Sequence, residues 1–158
     1  VQSLTGQAMA QLPRLARLEQ VGHDTRISLG TLLDEQASSH ANDPFFLFEG
    51  RSHSYADAKV RIDNVVKGLI SIGVRQGEHV GVLMDTRPSG LAAVAALSRL
   101  GAIAVMLRPG PDIAREVRLG EVDRIVADPE NGALAVDATS VPSMCWVAAA
   151  TSGTSAHG

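Results

Sequence analysis

The amino-acid sequence predicts an α/β fold built on a mainly parallel sheet flanked by helices. Apolar runs of the kind that strands show when buried on both faces stand at residues 79–84, 102–107 and 144–150. Between the first two lies an alanine-rich stretch, 89–100, with helical spacing and Gly101 as its stop. Short turns join this strand, helix and strand, an arrangement that calls for parallel strands and a right-handed crossover. Alanine, valine, leucine and glycine dominate while aromatics are 3%, and such small side chains let helices lie close on a sheet.

In chain order, residues 1–27 read as an N-terminal extension, with Leu12, Leu15 and Leu18 and the intervening Arg14 and Arg17 forming the pattern of a short helix. The body, 28–158, opens with Ser28 as the cap of a helix whose inward face is Leu29, Leu32, Leu33 and Ala37. Residues 45–49 read as a strand, Glu49-Gly50-Arg51 as a hairpin turn, and Ser52 and His53 as its short partner. Ser54 followed by Asp57 is a variant capping box, and Ala58, Ile62, Val65, Val66, Leu69 and Ile70 recur behind it at helical spacing. Gly73 supplies a left-handed end, and Gln76-Gly77 turns the chain into the first central strand. Downstream of the second, residues 113–119 read as a short helix, 124–127 as a strand, 134–136 as another strand, and 144–150 as the last. No internal repeat or low-complexity linker divides the chain.

The 158 residues, 45% of them hydrophobic, suffice for one sizeable core. A formal charge of −3 with scattered basic residues argues against a nucleic-acid partner, which requires a basic face. No apolar run approaches the length of a transmembrane segment. One cysteine, Cys145, permits no intrachain disulfide and suits a reducing cytosol, so a cytoplasmic location is expected, with contact at a membrane surface left open.

The last predicted strand runs into Thr151-Ser152-Gly153-Thr154-Ser155-Ala156-His157-Gly158. Glycine lets the backbone approach an anion closely, and hydroxyls with successive N–H groups donate to phosphate oxygens. The same composition also describes an ordinary polar turn, and no Gly-Lys-Ser/Thr follows to make a Walker A loop. Cys145 beside Trp146 is expected in the core rather than as a nucleophile. His23, His40, His53, His79 and His157 show no paired ligand spacing, so no metal site is expected. Asp34, Glu35, Asp57 and Asp63 fall on helix exteriors or caps, where solvation is the default. Arg87 and Arg108 follow the ends of the two central strands, the edge where open α/β sheets bind ligands, although a surface role is the default for both.

Several segments jointly resemble the adenylate-forming superfamily, which includes acyl-CoA synthetases, luciferases and peptide-synthetase adenylation domains. Thr151-Ser152-Gly153-Thr154-Ser155 resembles its Thr-Ser-Gly-Thr-Thr phosphate loop, and Phe48-Glu49-Gly50-Arg51-Ser52-His53-Ser54-Tyr55-Ala56-Asp57 its strand, turn and "Thr-Tyr-x-Glu" helix start. The passage from Gly68-Leu69 through Gly73-Val74-Arg75-Gln76-Gly77-Glu78-His79-Val80 is similar to its "gly-val-x-x-gly-asp-x-val", and residues 97–107 to its helix-to-strand junction. Where the family continues Gly-x-Pro-Lys-Gly, this chain has Ala156-His157-Gly158, with His157 near the lysine's place; Asp85-Thr86-Arg87-Pro88 replaces the usual Asn-Ser-Pro, and residues 109–126 form a shorter segment than is common.

The resemblance implies a partial N-terminal domain of an adenylate-forming enzyme, leaning to the long- or very-long-chain fatty acyl-CoA ligase branch. It implies ATP, Mg2+ and coenzyme A for the parent enzyme, a fatty acid as substrate, and a phosphate-holding role for Thr151, Ser152, Gly153, Thr154, Ser155 and Gly158. The adenine-binding, ribose-binding, hinge and C-terminal lysine elements of such enzymes have no counterpart in these residues. The piece alone is therefore expected to be inactive and to bind none of these cofactors tightly, and its end within a motif is expected to be an artificial or disorder-limited boundary. The alternative is a degenerate, non-catalytic α/β interaction module. An open sheet edge is expected to permit self-association without physiological meaning.

Overall fold

The computed structural model describes residues 22, 24, 28–85 and 87–137 and the backbone of 143–145. The expected helix near Leu12 to Leu18 and the loop at 151–158 lie outside these residues.

Helix α1 (Leu29–Ser39) begins at Ser28, whose Oγ accepts the Thr31 N–H at 3.1 Å while Thr31 Oγ1 accepts the Ser28 N–H at 3.3 Å. Leu33 and Ala37 are buried as expected, but Leu29 and Leu32 are exposed. The helix is turned so that Gly30 lies on Arg99; a Cβ at Gly30 would stand 2.8 Å from the Arg99 Cβ, so the glycine permits the close approach and its leucine neighbours face out.

Strands β1 (Pro44–Phe48) and β2 (Arg51–Ser54) form an antiparallel hairpin. Its two linking residues, Glu49 and Gly50, both have positive φ, 49° and 72°, as a type I′ turn requires. Helix α2 (Tyr55–Ser71) starts at the predicted capping box, with Ser54 Oγ accepting the Asp57 N–H and Asp57 Oδ2 accepting the Ser54 N–H. Ala58, Ile62, Val65 and Leu69 form its buried stripe, whereas Ile70, one residue further round the helix, is exposed.

The larger sheet is wholly parallel, with strand order β4-β3-β5-β6 for β3 (His79–Leu83), β4 (Ile103–Met106), β5 (Arg124–Ala127) and β6 (Ser143–Cys145). Helix α3 (Pro88–Leu100) links β3 to β4 and ends at Gly101 in the left-handed region, φ 69°. It buries Ala92, Ala93, Ala95, Ala96 and Leu97, the small side chains that let it lie close on the sheet. Val80, Val82 and Val126 point to the face covered by α1, α2 and α3, where Leu33, Ile62, Leu69 and Leu97 meet them. Leu83, Ile125 and Ala127 point to the other face, against Leu107, Ile113 and Val117, the last two from α4 (Ile113–Leu119).

One predicted strand is instead a helix. Residues 134–136 belong to α5 (Gly132–Asp137). Three consecutive apolar residues would need both faces covered in a strand, whereas in the helix Ala135 is buried, Leu134 half-buried and Val136 exposed. The Ala135 N–H donates to the Asn131 carbonyl at 3.0 Å and starts the turn.

Candidate functional site at the carboxyl edge of the sheet

From β3 the chain passes through α3 to β4 on one side, while β5 lies on the other side of β3. The connections after β3 and β5 therefore diverge, which makes their carboxyl ends the edge at which doubly wound sheets bind ligands. Asp128, just past β5, is 6% exposed and accepts three hydrogen bonds there: from the Asp85 N–H at 3.0 Å, the Asn131 N–H at 3.0 Å and Asn131 Nδ2 at 2.8 Å. Burial works against its charged form, but these donors, with Arg87 nearby, outweigh it and hold the carboxyl below the usual carboxylate range. Arg87 lies outside this cluster, its Nη1 2.9 Å from Glu130 Oε1 and its Nη2 3.8 Å from Asp85 Oδ2. Strand β6 runs parallel to β5, pairing Cys145 with Ala127, so it ends at the same edge.

Beside this edge, between the hairpin and the starts of α2 and α3, lies a cleft of about 470 Å³ lined by Phe46, Phe48, His53, Arg61, Arg87 and Ser89. The Phe46 and His53 rings stack at 4.6 Å on its wall, and Arg61 Nη2 donates to Ser89 Oγ at 3.1 Å.

The sequence-predicted residues are distributed as follows. Thr151, Ser152, Gly153, Thr154, Ser155 and Gly158 lie outside the described residues, as do Trp146, His23 and His157; Cys145 is present as β6 backbone. Arg87 is at this edge, while Arg108 folds onto Glu116 of α4, giving its N–H at 3.0 Å and Nη2 at 2.9 Å, and remains on the surface. Histidines 40, 53 and 79 are engaged separately: His40 with Ser39, His53 with Phe46, and His79 Nδ1 with the Gly120 carbonyl at 2.7 Å. Among the described residues no group of three or more His, Cys, Asp or Glu could hold a metal ion, and no helix is long and apolar enough to cross a membrane.

Asp34 and Asp63 depart from the solvated role expected of them. Arg99 of α3 pairs with Asp34 of α1 and with Asp63 of α2, and Lys59 reaches the same two carboxylates at 3.6 and 2.7 Å, so the pair forms a junction of three helices. Asp128 was not anticipated as a site residue; its signal is the Asp-Pro-Glu-Asn sequence at a strand end, where an Asp side chain readily bonds the following backbone.

A parallel sheet with helices on both faces and connections that diverge at its carboxyl edge defines a doubly wound α/β protein. The comparisons carry this further: a model of the family described as AMP-binding enzyme matches residues 33–148, and the chain belongs to that family. It is 35% identical over 82 residues to triostin synthetase I of Streptomyces triostinicus, covering 52% of this chain and 16% of that protein. It is 27% identical over 108 residues to the medium/long-chain-fatty-acid–CoA ligase FadD6 of Mycobacterium tuberculosis, covering 66% of this chain and 18% of that one. The chain thus spans less than a fifth of the length of these relatives. Among solved structures, the N-terminal domain of FACL13 from Mycobacterium tuberculosis superposes with a TM-score of 0.67 at 16% identity, over 77% of this chain and 33% of that one. VinN does so with a TM-score of 0.67 at 21% identity, over 76% and 32%. These two likenesses bear on the fold alone, a parallel sheet flanked by helices.

Proposed function

We propose that this chain is the N-terminal part of a ligase that activates a fatty carboxylate with ATP and passes the acyl group to coenzyme A. The family match over residues 33–148 carries the reading. The geometry supports it, because β6 ends at the same carboxyl edge as β3 and β5, shortly before the hydroxyl-rich segment at Thr151 in the sequence.

In this reaction a carboxylate oxygen attacks the α-phosphorus of ATP, the bond to the bridging oxygen breaks, and pyrophosphate leaves. The thiol sulfur of coenzyme A then attacks the acyl carbon and AMP departs. Mg2+ bound with the nucleotide would supply charge neutralisation at its phosphates. The chain's own part is positional: the hydroxyls of Thr151, Ser152, Thr154 and Ser155 and the N–H groups of Gly153 and Gly158 hold the β- and γ-phosphates as charge develops on the leaving group. Asp128 keeps the loops after β3 and β5 in register through its bonds to Asp85 and Asn131. The contacts to adenine and ribose and the lysine typical of the family fall to a longer polypeptide, so the 158 residues alone are proposed to be inactive.

The test is carboxylate-dependent exchange of pyrophosphate into ATP, with thioester formation followed in parallel, for a polypeptide in which this chain is continued through a complete ligase fold. Fatty acids of short to very long chain and a set of amino acids serve as substrates. Exchange with fatty acids, reduced on the order of 100-fold by Thr151→Ala with Thr154→Ala, is the expected result. Exchange with amino acids alone would overturn the fatty-acyl assignment. No exchange with any carboxylate would favour the non-catalytic module.

A further inference from the structure

On the reading that residues 151–158 hold the phosphates of ATP, we infer that Asp128 is a positioning residue for the nucleotide, closing the switch point of the sheet and fixing the strand exit that leads to those residues. In the strand order β4-β3-β5-β6 the crossovers from β3 and β5 run to opposite sides, which puts the switch point between these two strands. Open α/β sheets bind ligands in that gap. Here the protein fills it. Asp128 gives its N–H to the Leu83 carbonyl at 3.4 Å and takes the Asp85 N–H on Oδ2 at 3.0 Å, while its Oδ1 takes both donors of Asn131. The two oxygens thus serve different connections, Oδ2 the one after β3 and Oδ1 the one after β5.

Two effects on a nucleotide follow. The carboxyl is ionised at neutral pH, so its charge turns a phosphate away from the gap between β3 and β5 and leaves the next exit on that side, the end of β6, to receive it. The same carboxylate also fixes that exit. Its bonds to Asn131 form the first turn after β5, the Asn131 carbonyl takes the Ala135 N–H of α5, and α5 leads to β6, whose Cys145 pairs with Ala127, the residue before Asp128. Asparagine at 128 would break this link on one side. It has a single carbonyl oxygen, so turning that oxygen to the two donors of Asn131 sets its NH2 group against the Asp85 N–H, donor to donor, and the opposite rotamer strands Asn131 instead.

The test is ATP binding by titration calorimetry, with no carboxylate present, for the longer polypeptide of the exchange assay and its variants, alongside KM for ATP and for the carboxylate in exchange. Asp128→Asn is expected to weaken ATP binding and raise KM for ATP about tenfold, with kcat and KM for the carboxylate within about twofold of wild type. Asn131→Ala keeps the Asp85 bond and covers the case in which Asp128→Asn does not fold; it should weaken ATP binding about threefold. Arg99→Leu, at the junction of α1, α2 and α3, controls for lost stability alone and should bind ATP as wild type does. Unchanged ATP affinity in both Asp128→Asn and Asn131→Ala overturns the inference, and so does an equal loss in Arg99→Leu. A wild type that binds ATP, loses affinity in Asp128→Asn and yet exchanges pyrophosphate with no carboxylate upholds the positioning role while refuting the ligase reading. A wild type that binds no ATP overturns both.

Discussion

Asp128 joins two loops that the chain order keeps 43 residues apart, since its carboxylate takes the Asp85 N–H as well as both donors of Asn131. Removing the acceptor would strand buried donors, so Asp128→Ala is expected to lower the unfolding free energy by about 1–3 kcal/mol in urea titration at neutral pH. The pH dependence has a definite sign. The carboxyl titrates lower in the folded chain than in the unfolded one, so its extra stability is present above the ordinary carboxylate pKa, about 3.9, and is lost as pH falls through the folded value below that. The stability gap between wild type and Asp128→Asn should accordingly shrink between pH 7 and pH 3; a gap that stays constant would show that the carboxylate's charge contributes nothing to the clamp. The sequence made the caps at Ser28 and Ser54 legible because they depend on residues three apart. Asp128 was not legible in this way, because its value comes partly from the β3 exit, which only the folded sheet brings beside it.

Helices α1, α2 and α3 meet at a charge junction centred on Arg99, whose side chain is 20% exposed while Asp34 and Asp63 are 40% and 35% exposed. Arg99 touches both carboxylates with separate guanidinium nitrogens and so links α3 to two helices at once, whereas the shorter of the Lys59 contacts stays within α2. Arg99→Leu, which retains the stem packed over Gly30, is expected to destabilise by about 1–2 kcal/mol after allowance for solvent screening. Lys59→Leu should lose only about 0.3–0.5 kcal/mol, the scale of an exposed i, i+4 pair. Chemical denaturation of both variants decides the matter, and equal losses would refute the bridging role. Element types were readable where the period was long, as in α2 and α3. They failed at residues 134–136, where three apolar residues have no period and tertiary cover decides between strand and helix. The outward turn of Leu29 and Leu32 was hidden for a related reason: the contact between Gly30 and Arg99 is an inter-helix approach, not a helical pattern.

At the scale of the molecule, stability is unevenly distributed. β3 is paired on both sides, by β4 and β5, and Val80, Val82 and Leu83 are fully buried between helices on the two faces. The hairpin is a separate two-stranded sheet, a kind of unit that is marginal without packing. It is anchored to the main core by Phe45, whose ring lies 4.9 Å from that of Tyr55, and its junction with α2 by the Tyr55 and Ala56 N–H groups donating to the Asp43 and Ala41 carbonyls. Leu47, by contrast, is 76% exposed, so one face of the hairpin buries little. Local opening of β1 and β2 therefore exposes one aromatic anchor, while freeing an amide of Val82 requires both layers of core to separate. Native-state hydrogen exchange should find the hairpin amides opening at a free energy lower by about 2 kcal/mol or more than those of β3 and β5, roughly a 30-fold difference in protection. The cleft lined by Phe46, His53 and Arg61 would open with the hairpin, which makes that wall the adaptable side of the molecule and the parallel sheet its fixed reference. Equal protection of the hairpin and the central strands would instead mean that Phe45 and the Asp43 and Ala41 carbonyls bind the hairpin into the same cooperative unit as the sheet.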